Sequence, residues 1–471
     1  MKKSLLLLMT LVIVLTMGLA GCGSKSADPP PANTQGNEGT KEAEPPKEEP
    51  EKVEPFEMTI RHTQVAESSK NRLKILQDVA KKTEEEVPGL TLKLDGVQDA
   101  VNRNEKLRGE MAAGNPPEIF DTFGRFDAYL YYKEGKMLDI TPIIEELGIK
   151  DKFFDLKSWT SDDGKVYGLP VGGSAEAFFY NKEYFEQKGL KVPTTFEELE
   201  DLLAKIKADG KVPIAAASQA SWVPLMMTNQ LWARYAGPEI TAGFASGKTK
   251  WDDPNMIKAW AKHKEWVDKG YFKKGELALD YADMTTQFTT GEAVMMFEGT
   301  WRSSIFKKAE EGQEPNMAED MRDKVGFFNM PPLAGGPGDQ TALMQDMNNG
   351  YGFSAEVAKD ERKLNAVKVF IKNLYNEEMQ LRGFKEDGVL PSMKVDEQKY
   401  QELATEPIMK EITGTLSKVQ SSFNAFDALV QPSVRTEVET QIQKLIGGQA
   451  TAEDALAAIQ KAQDVAIETG Q

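Results

Sequence analysis

The sequence predicts an α/β protein built on a mostly parallel sheet covered by helices. Two observations carry that expectation. Short apolar runs alternate with amphipathic helical stretches from Glu57 onward, the pattern of linked β-α-β units. Hydrophobic residues make up 40% of the 471 and aromatics 9%, a globular composition too apolar for a wholly disordered chain. At about 150 residues per domain this length implies two or three domains, each with ample core.

At the N-terminus, Lys2 and Lys3 precede an apolar run from Leu5 to Leu19 and the small residues Ala20, Gly21 and Cys22. The run is shorter than the roughly 20 residues of a membrane span and matches the core of a secretory signal peptide over residues 1–21. Leu19-Ala20-Gly21-Cys22 resembles the bacterial lipobox, which implies cleavage before Cys22 and a diacylglycerol on its sulfur; an uncleaved signal anchor with an incidental cysteine is the alternative. From Gly23 to Pro55 there are seven prolines, seven glutamates and no aromatic residue. Such a segment cannot bury enough apolar surface to offset its ordering entropy, so 22–55 reads as the anchored cysteine followed by a disordered, acidic spacer. No run of 18 apolar residues follows, and the remainder is expected to be soluble and exported.

Glu57 to His62 reads as the first strand, and Ser69 to Val87, with Leu73, Leu76, Val79 and Ala80 at helical spacing, as the helix after it. Thr91 to Leu94 is a second strand. Asn102 to Ala113 is a helix ended by Gly114, and Pro116 to Asp121 leads into a third strand whose exit carries Phe123, Arg125 and Phe126. Further on, Thr195-Phe196-Glu197-Glu198 is a capping box opening a helix through Lys207, and Val212 to Ala217 is a strand.

Composition narrows the chemistry. Lys plus Arg number 57 against 74 Asp plus Glu, a net charge of −17, which leaves no basic surplus for nucleic acid or for polybasic membrane attachment. One cysteine excludes an intramolecular disulfide and a cysteine-based zinc cluster, and His62 and His263 lie far apart, so neither a metal nor a cofactor is expected. Ser246-Gly247-Lys248-Thr249 looks like half a P-loop, but position 242 is Ala, and a surface turn is the better reading. With 74 acids, any carboxylate pair could be nominated for glycoside hydrolysis, so such pairs carry little information.

The middle of the chain carries a resemblance. Gly164-Lys165-Val166-Tyr167-Gly168-Leu169-Pro170 is followed by Tyr180-Asn181-Lys182, Phe185, Gly189-Leu190, and then Pro193, Thr195, Glu198 and Leu199. Later come Phe288, Gly291, Ala293, Met295 and Met296 with Gly299-Thr300-Trp301, then Asn348 to Ser354 and Gly388-Val389-Leu390-Pro391. In order and spacing these resemble family 1 extracellular solute-binding proteins, the capture subunits of carbohydrate ABC importers related to the maltodextrin-binding protein. The resemblance implies a two-lobed periplasmic-binding-protein-like fold of type II. Its N-terminal lobe would be 56–172 plus 353–389 and its C-terminal lobe 173–352 plus 390–471. Three crossings would lie near Gly173, Gly352 and Leu390, with ligand in the cleft at the strand ends.

A sugar presents apolar C–H faces and hydroxyls, so its site needs aromatic platforms with carboxylates and amides. Trp301 stands where the family places a stacking aromatic. Trp222, Phe123 and Phe126 follow strands and are placed to reach the cleft, while Gln64, Asp121, Ser174, Glu298, Asp346 and Asn348 are candidate polar contacts. Blander readings stand beside these. Phe123 and Phe126 could pack a helix, and Asp121 and Glu298 could cap helices or pair with lysines. Trp232, Trp251, Trp260 and Trp266 read as packing, as do Met226-Met227 and Met295-Met296. His62 reads equally as a cleft residue and as a satisfied strand-end histidine. The expected protein is a non-catalytic, lipid-anchored monomer on the outer face of a single-membrane bacterium, delivering an oligosaccharide to a permease. A surface glycosidase or lyase, and a receptor for a polyamine or other cation, are the alternatives.

Overall fold

The computed structural model describes residues 54–66, 69–308, 317–426 and 429–470. The expected signal peptide, Cys22 and the expected spacer up to residue 53 lie outside them. Among the described residues no helix is long and apolar enough to cross a membrane.

The first sheet has the order β2-β1-β3-β10-β4, with β1 Phe56–His62, β2 Leu90–Gly96, β3 Ile119–Phe123, β4 Gly168–Pro170 and β10 Asn349–Phe353. Its first three strands are parallel, as the β-α-β-α-β reading requires. The helix Lys70–Glu86 buries Ile75, Leu76, Val79, Ala80 and Thr83 along one face, which packs it onto the sheet. The next helical stretch starts earlier than Asn102, at Asp99, and contains a π turn over Asn102–Lys106 before Leu107–Ala113; Gly114 ends it at φ 76°. Thr195 caps the helix Phe196–Ala208 as expected, its Oγ1 accepting from the Glu198 amide, but the Glu198 carboxylate accepts from the Thr194 amide instead, so the box is incomplete.

The second sheet runs β11-β9-β5-β7-β6, with β8 paired to β5. Its strands are β5 Ser174–Asn181, β6 Val212–Ala215, β7 Ala293–Gly299, β8 Val325–Phe328, β9 Leu343–Asp346 and β11 Ser422–Phe423. Here the expectation of a mostly parallel sheet fails. Strand β5 is antiparallel to β7, β8 and β9, because it arrives from the first sheet running opposite to the strands beside it.

Each sheet has its own core. Trp159, Phe120, Phe353 and Phe370 belong to one, and Phe178, Phe179, Trp232, Trp260 and Ile442 to the other. Trp232, Trp260 and Trp266 are fully buried on helices, Trp251 is equally buried but lies in the turn before the helix Pro254–Asp268 rather than in a helical stretch, and the two methionine pairs are core residues. The Ser246–Thr249 segment is a turn folded onto the Gly243 carbonyl.

Two boundaries differ from the expectation. The crossing expected near Gly352 lies at Met347-Asn348, because Asn349 to Phe353 are zipped antiparallel to β3 and Gly350 to Gly352 pair with β4. The first-sheet segment thus begins at Asn349 rather than at residue 353. Past Leu390, Met393 still packs in the first core and bridges Phe153, so a division at 390 also falls early. The other two crossings meet each other, Gly173 pairing with Leu390.

Candidate functional site

The crossing at Met347-Asn348 is two residues long, which brings the end of β9 within about 10 Å of the start of β10. Pairing then decides which strand ends share that neighbourhood. Phe123 at the end of β3 faces Asn349, and β1 runs parallel to β3, so Thr63 and Gln64 exit on the same side. In the second sheet Ser174 faces Asp346, Glu176 faces Gly299, and β6 ends beside β7, which places Ser218 to Trp222 there too. The two sheets therefore present to each other the strand ends that carry the candidate residues.

On the first sheet Asp121 is the centre. It is 1% exposed, and its carboxylate accepts from Thr63 Oγ1 at 3.0 Å, from Gln64 Nε2 at 3.5 Å and from Asn349 Nδ2 at 3.4 Å. Burial pushes its pKa up to about 6, against the pull of the nearby Arg103 charge. It caps no helix and pairs with no lysine. The π turn of residues 102–106 aims Asn102 and Arg103 at this strand end. Asn102 Nδ2 donates to the Asp121 carbonyl, and the Arg103 guanidinium lies 3.0 Å from the Phe123 ring centroid. One face of Phe123 is thus covered by a cation. Phe126 opens the helix Phe126–Lys133 and is half-buried. His62 is buried at the end of β1, its Nδ1 without a partner, and burial lowers its pKa.

Arg125 has φ 60°, the only positive value on a non-glycine residue among those described. Its amide donates to the Ser158 carbonyl and its Nε to Ser158 Oγ at 3.2 Å. Backbone strain of this kind costs about 1–3 kcal/mol and persists where the surroundings over-determine it, typically beside a binding site. Next to it, Gly124 donates its amide to the Asn348 carbonyl, and a Cβ there would sit 2.5 Å from the Ser158 carbonyl oxygen. The β3 exit therefore has no space for a side chain at position 124.

On the second sheet, Trp222 and Trp301 are half-buried, with ring centroids 6.5 Å apart at 59°. Tyr281, at the start of the helix Tyr281–Thr289, sits between them: its ring meets Trp222 edge-on at 4.9 Å, and its hydroxyl accepts from Trp301 Nε1 at 2.8 Å. Arg302 lies 3.8 Å above the Tyr281 ring. Glu298 is fully buried, accepts from the Gly299 amide at 2.7 Å, and has its second oxygen 4.0 Å from Arg302 Nε. Burial raises its pKa to about 7, with Arg302 opposing. Like Asp121, it caps no helix and meets no lysine. Ser174 and Asp346 are joined by a hydrogen bond of 3.2 Å and line a groove of about 430 Å³ with Met347, Leu390 and Tyr400, where the crossings meet.

Among the described residues several buried polar atoms have no hydrogen-bond partner: Gln64 Oε1, both side-chain atoms of Asn348, Asn349 Oδ1 and Arg103 Nη1, while Glu298 Oε2 and Arg302 Nε lack a hydrogen bond and meet each other at 4.0 Å. Gln64 and Asn348 are only 5% and 2% exposed, so water does not satisfy them freely. Buried groups in native proteins are almost always paired, so these atoms mark the strand ends of the first sheet as a place that accommodates further polar partners. Asn349, Arg103, Tyr281 and Arg302 escaped the sequence reading. Arg302 follows Trp301 directly, and a cation beside an aromatic platform was a usable signal; nothing local marked the other three.

The sequence model of the bacterial extracellular solute-binding protein family matches residues 66–381, and the chain belongs to that family. Among relatives, the multiple sugar-binding protein of Streptococcus mutans is 25% identical over 272 residues, 56% of this chain and 60% of its own. The maltooligosaccharide ABC transporter solute-binding lipoprotein of Streptococcus pneumoniae strain R6 is 27% identical over 314 residues, 63% of each. The chain spans less than two thirds of the curated relatives it matches. Among solved structures, a chitin oligosaccharide binding protein superposes with a TM-score of 0.80 at 42% identity, over 88% of this chain and all of that one. The maltose-bound MalE3 of T. maritima shares the fold, at a TM-score of 0.70 and 20% identity over 87% and 99% of the two chains.

Proposed function

We propose that this chain is the capture protein of an ABC importer that binds an oligosaccharide between its two lobes, and that the sugar is a chitin-type chain of β-linked N-acetylglucosamine. The observation that carries the reading is the half-buried Trp222–Trp301 pair at the strand ends of the second sheet, together with buried side-chain amide atoms of Gln64, Asn348 and Asn349 that lack hydrogen-bond partners at the strand ends of the first. Indole faces stack on the apolar faces of pyranose rings. The amides of Asn348, Asn349 and Gln64 match hydroxyls and acetamido groups as donors and acceptors. The 42% identity to a chitin oligosaccharide binding protein along that protein's full length supports the sugar class. Cys22 anchors the chain by lipid to the outer face of the membrane, residues 22–55 act as its tether, and the protein works as a monomer beside its permease.

Isothermal titration with N-acetylglucosamine oligomers, maltotriose, cellotriose and spermidine tests the reading, with chromatography of each mixture for cleavage products. Tight binding of the N-acetylglucosamine oligomers without new products is expected. Binding of maltotriose alone would overturn the sugar class. Product release would overturn the receptor.

A further inference from the structure

The two indoles do not hold themselves in place. Trp301 follows β7 after Gly299 and Thr300, and its ring folds back over the strand: a Cβ on Gly299 would lie 2.2 Å from the indole. The glycine lets the ring lie flat against the backbone, which fixes it on one side. On the other side its only polar atom, Nε1, donates to the Tyr281 hydroxyl at 2.8 Å. Tyr281 also meets the second indole, Trp222, edge-on at 4.9 Å and 69°. A single phenol ring thereby sets the position of one tryptophan through its hydroxyl and of the other through its edge.

Tyr281 is itself held twice. Asp280 caps its helix, accepting from the amides of Ala282 and Asp283 while the Asp283 carboxylate accepts from the Asp280 amide, so the residue at the first helical position has a defined backbone. Arg302 then covers the phenol face at 3.8 Å. The Arg302 side chain is 11% exposed, and the buried Glu298 carboxylate lies 4.0 Å from its Nε. A guanidinium stacked on an aromatic face with a carboxylate behind it keeps its plane.

We propose that Tyr281, clamped by Arg302, is the positioning residue of the sugar platform, fixing the plane of Trp301 and its 59° tilt to Trp222. It acts through the indoles and need not touch sugar. The inference rests on the reading of Trp301 as a stacking platform, and the test separates the two.

The full chain is labelled with 5-fluorotryptophan, the Trp301 fluorine resonance is assigned with Trp301→Phe, and oligosaccharide affinity is measured for Tyr281→Phe, Arg302→Lys and Trp301→Ala. Tyr281→Phe keeps the ring and deletes only the hydroxyl. The expected result is a shifted or broadened Trp301 resonance, unmoved resonances for the five core tryptophans, and a roughly fivefold loss of affinity, about that of one neutral hydrogen bond. Arg302→Lys loses the planar stack and is expected to move the same resonance. If Trp301→Ala abolishes binding while Tyr281→Phe and Arg302→Lys leave affinity and resonance unchanged, the positioning role is overturned and the platform stands. If Trp301→Ala binds as the unaltered chain does, the platform itself falls, and the inference with it.

Discussion

The pair Asp127–Arg435 is a bidentate charge contact between the two lobes. Asp127 is in the first turn of the helix Phe126–Lys133, next to Ala128 of the first core; Arg435 is in the helix Pro432–Ile446, next to Val434 of the second. The contact is bidentate, Nη1 to Oδ2 at 2.7 Å and Nη2 to Oδ1 at 3.0 Å, and the side chains are 16% and 13% exposed for Asp127 and Arg435. At that separation and an effective dielectric of 20, two unit charges attract by about 6 kcal/mol, most of it offset by desolvation. A net of about 2 kcal/mol is consistent with measured interfacial pairs. Separating the lobes would break the pair, so that energy is expected to favour a closed arrangement by about 30-fold. Asp127→Asn and Arg435→Gln should each weaken oligosaccharide binding about tenfold or more, and the double variant by little beyond either single one. Calorimetric titration of the four proteins closes the cycle, repeated at 0.05 and 0.5 M salt, with small-angle scattering reporting lobe separation. A coupling energy below about 0.3 kcal/mol, or singles that add, would refute the role assigned to the pair.

Other expectations follow from the same geometry. Trp301→Ala should cost at least tenfold in affinity while leaving the melting temperature within a few degrees, because a half-buried indole is lost and no core cavity is made; a collapse of stability instead would make Trp301 a core residue. Burial raises the Glu298 pKa to about 7, so the folded chain holds a proton there that the unfolded chain releases near 4.5. Its contribution is full below about pH 4.5 and lost as pH rises through 7. The stability of the unaltered chain relative to Glu298→Gln should therefore fall by up to about 3 kcal/mol between pH 4.5 and 8 in denaturant titrations, and the opposite trend would refute the burial argument. Using the variant as reference removes His62 and His263, whose pKa values burial lowers and which titrate in the contrary sense. Gly124→Ala forces a Cβ to 2.5 Å from the Ser158 carbonyl, and thermal unfolding should show a loss of more than about 1 kcal/mol. Cys22→Ala should abolish incorporation of labelled palmitate and move the protein from the membrane fraction to the medium; retention in the membrane would point to the uncleaved signal anchor.

What could be read from the sequence was whatever is decided within a few residues. The helix Lys70–Glu86 declares itself through apolar spacing, and Gly114 through its place after a helical run. The buried tryptophans at 232, 260 and 266 declare themselves through apolar neighbours at helical spacing; Trp251, equally buried, lies in a turn. Gln64, Asp121, Phe123, Trp222 and Trp301 could be nominated from the sequence because each stands within or after the C-terminal half of a strand. The miss at Gly352 is instructive. Asn349 to Phe353 is recognisably a strand, but membership of a sheet depends on partners more than 170 residues earlier, at β4, and more than 220 earlier, at β3.

The sequence by itself determined the local conformations, the division into buried and exposed faces, and the family. These follow from backbone sterics and hydrophobic periodicity, which act over one or two turns or along one strand. Only the tertiary structure decided that Tyr281 meets both Trp301 and Trp222, that Arg103 covers Phe123, and that Asp127 reaches Arg435 across 308 positions of chain. Those contacts are set by how two sheets pack around a two-residue crossing, and no local pattern encodes a distance between residues that only packing brings together.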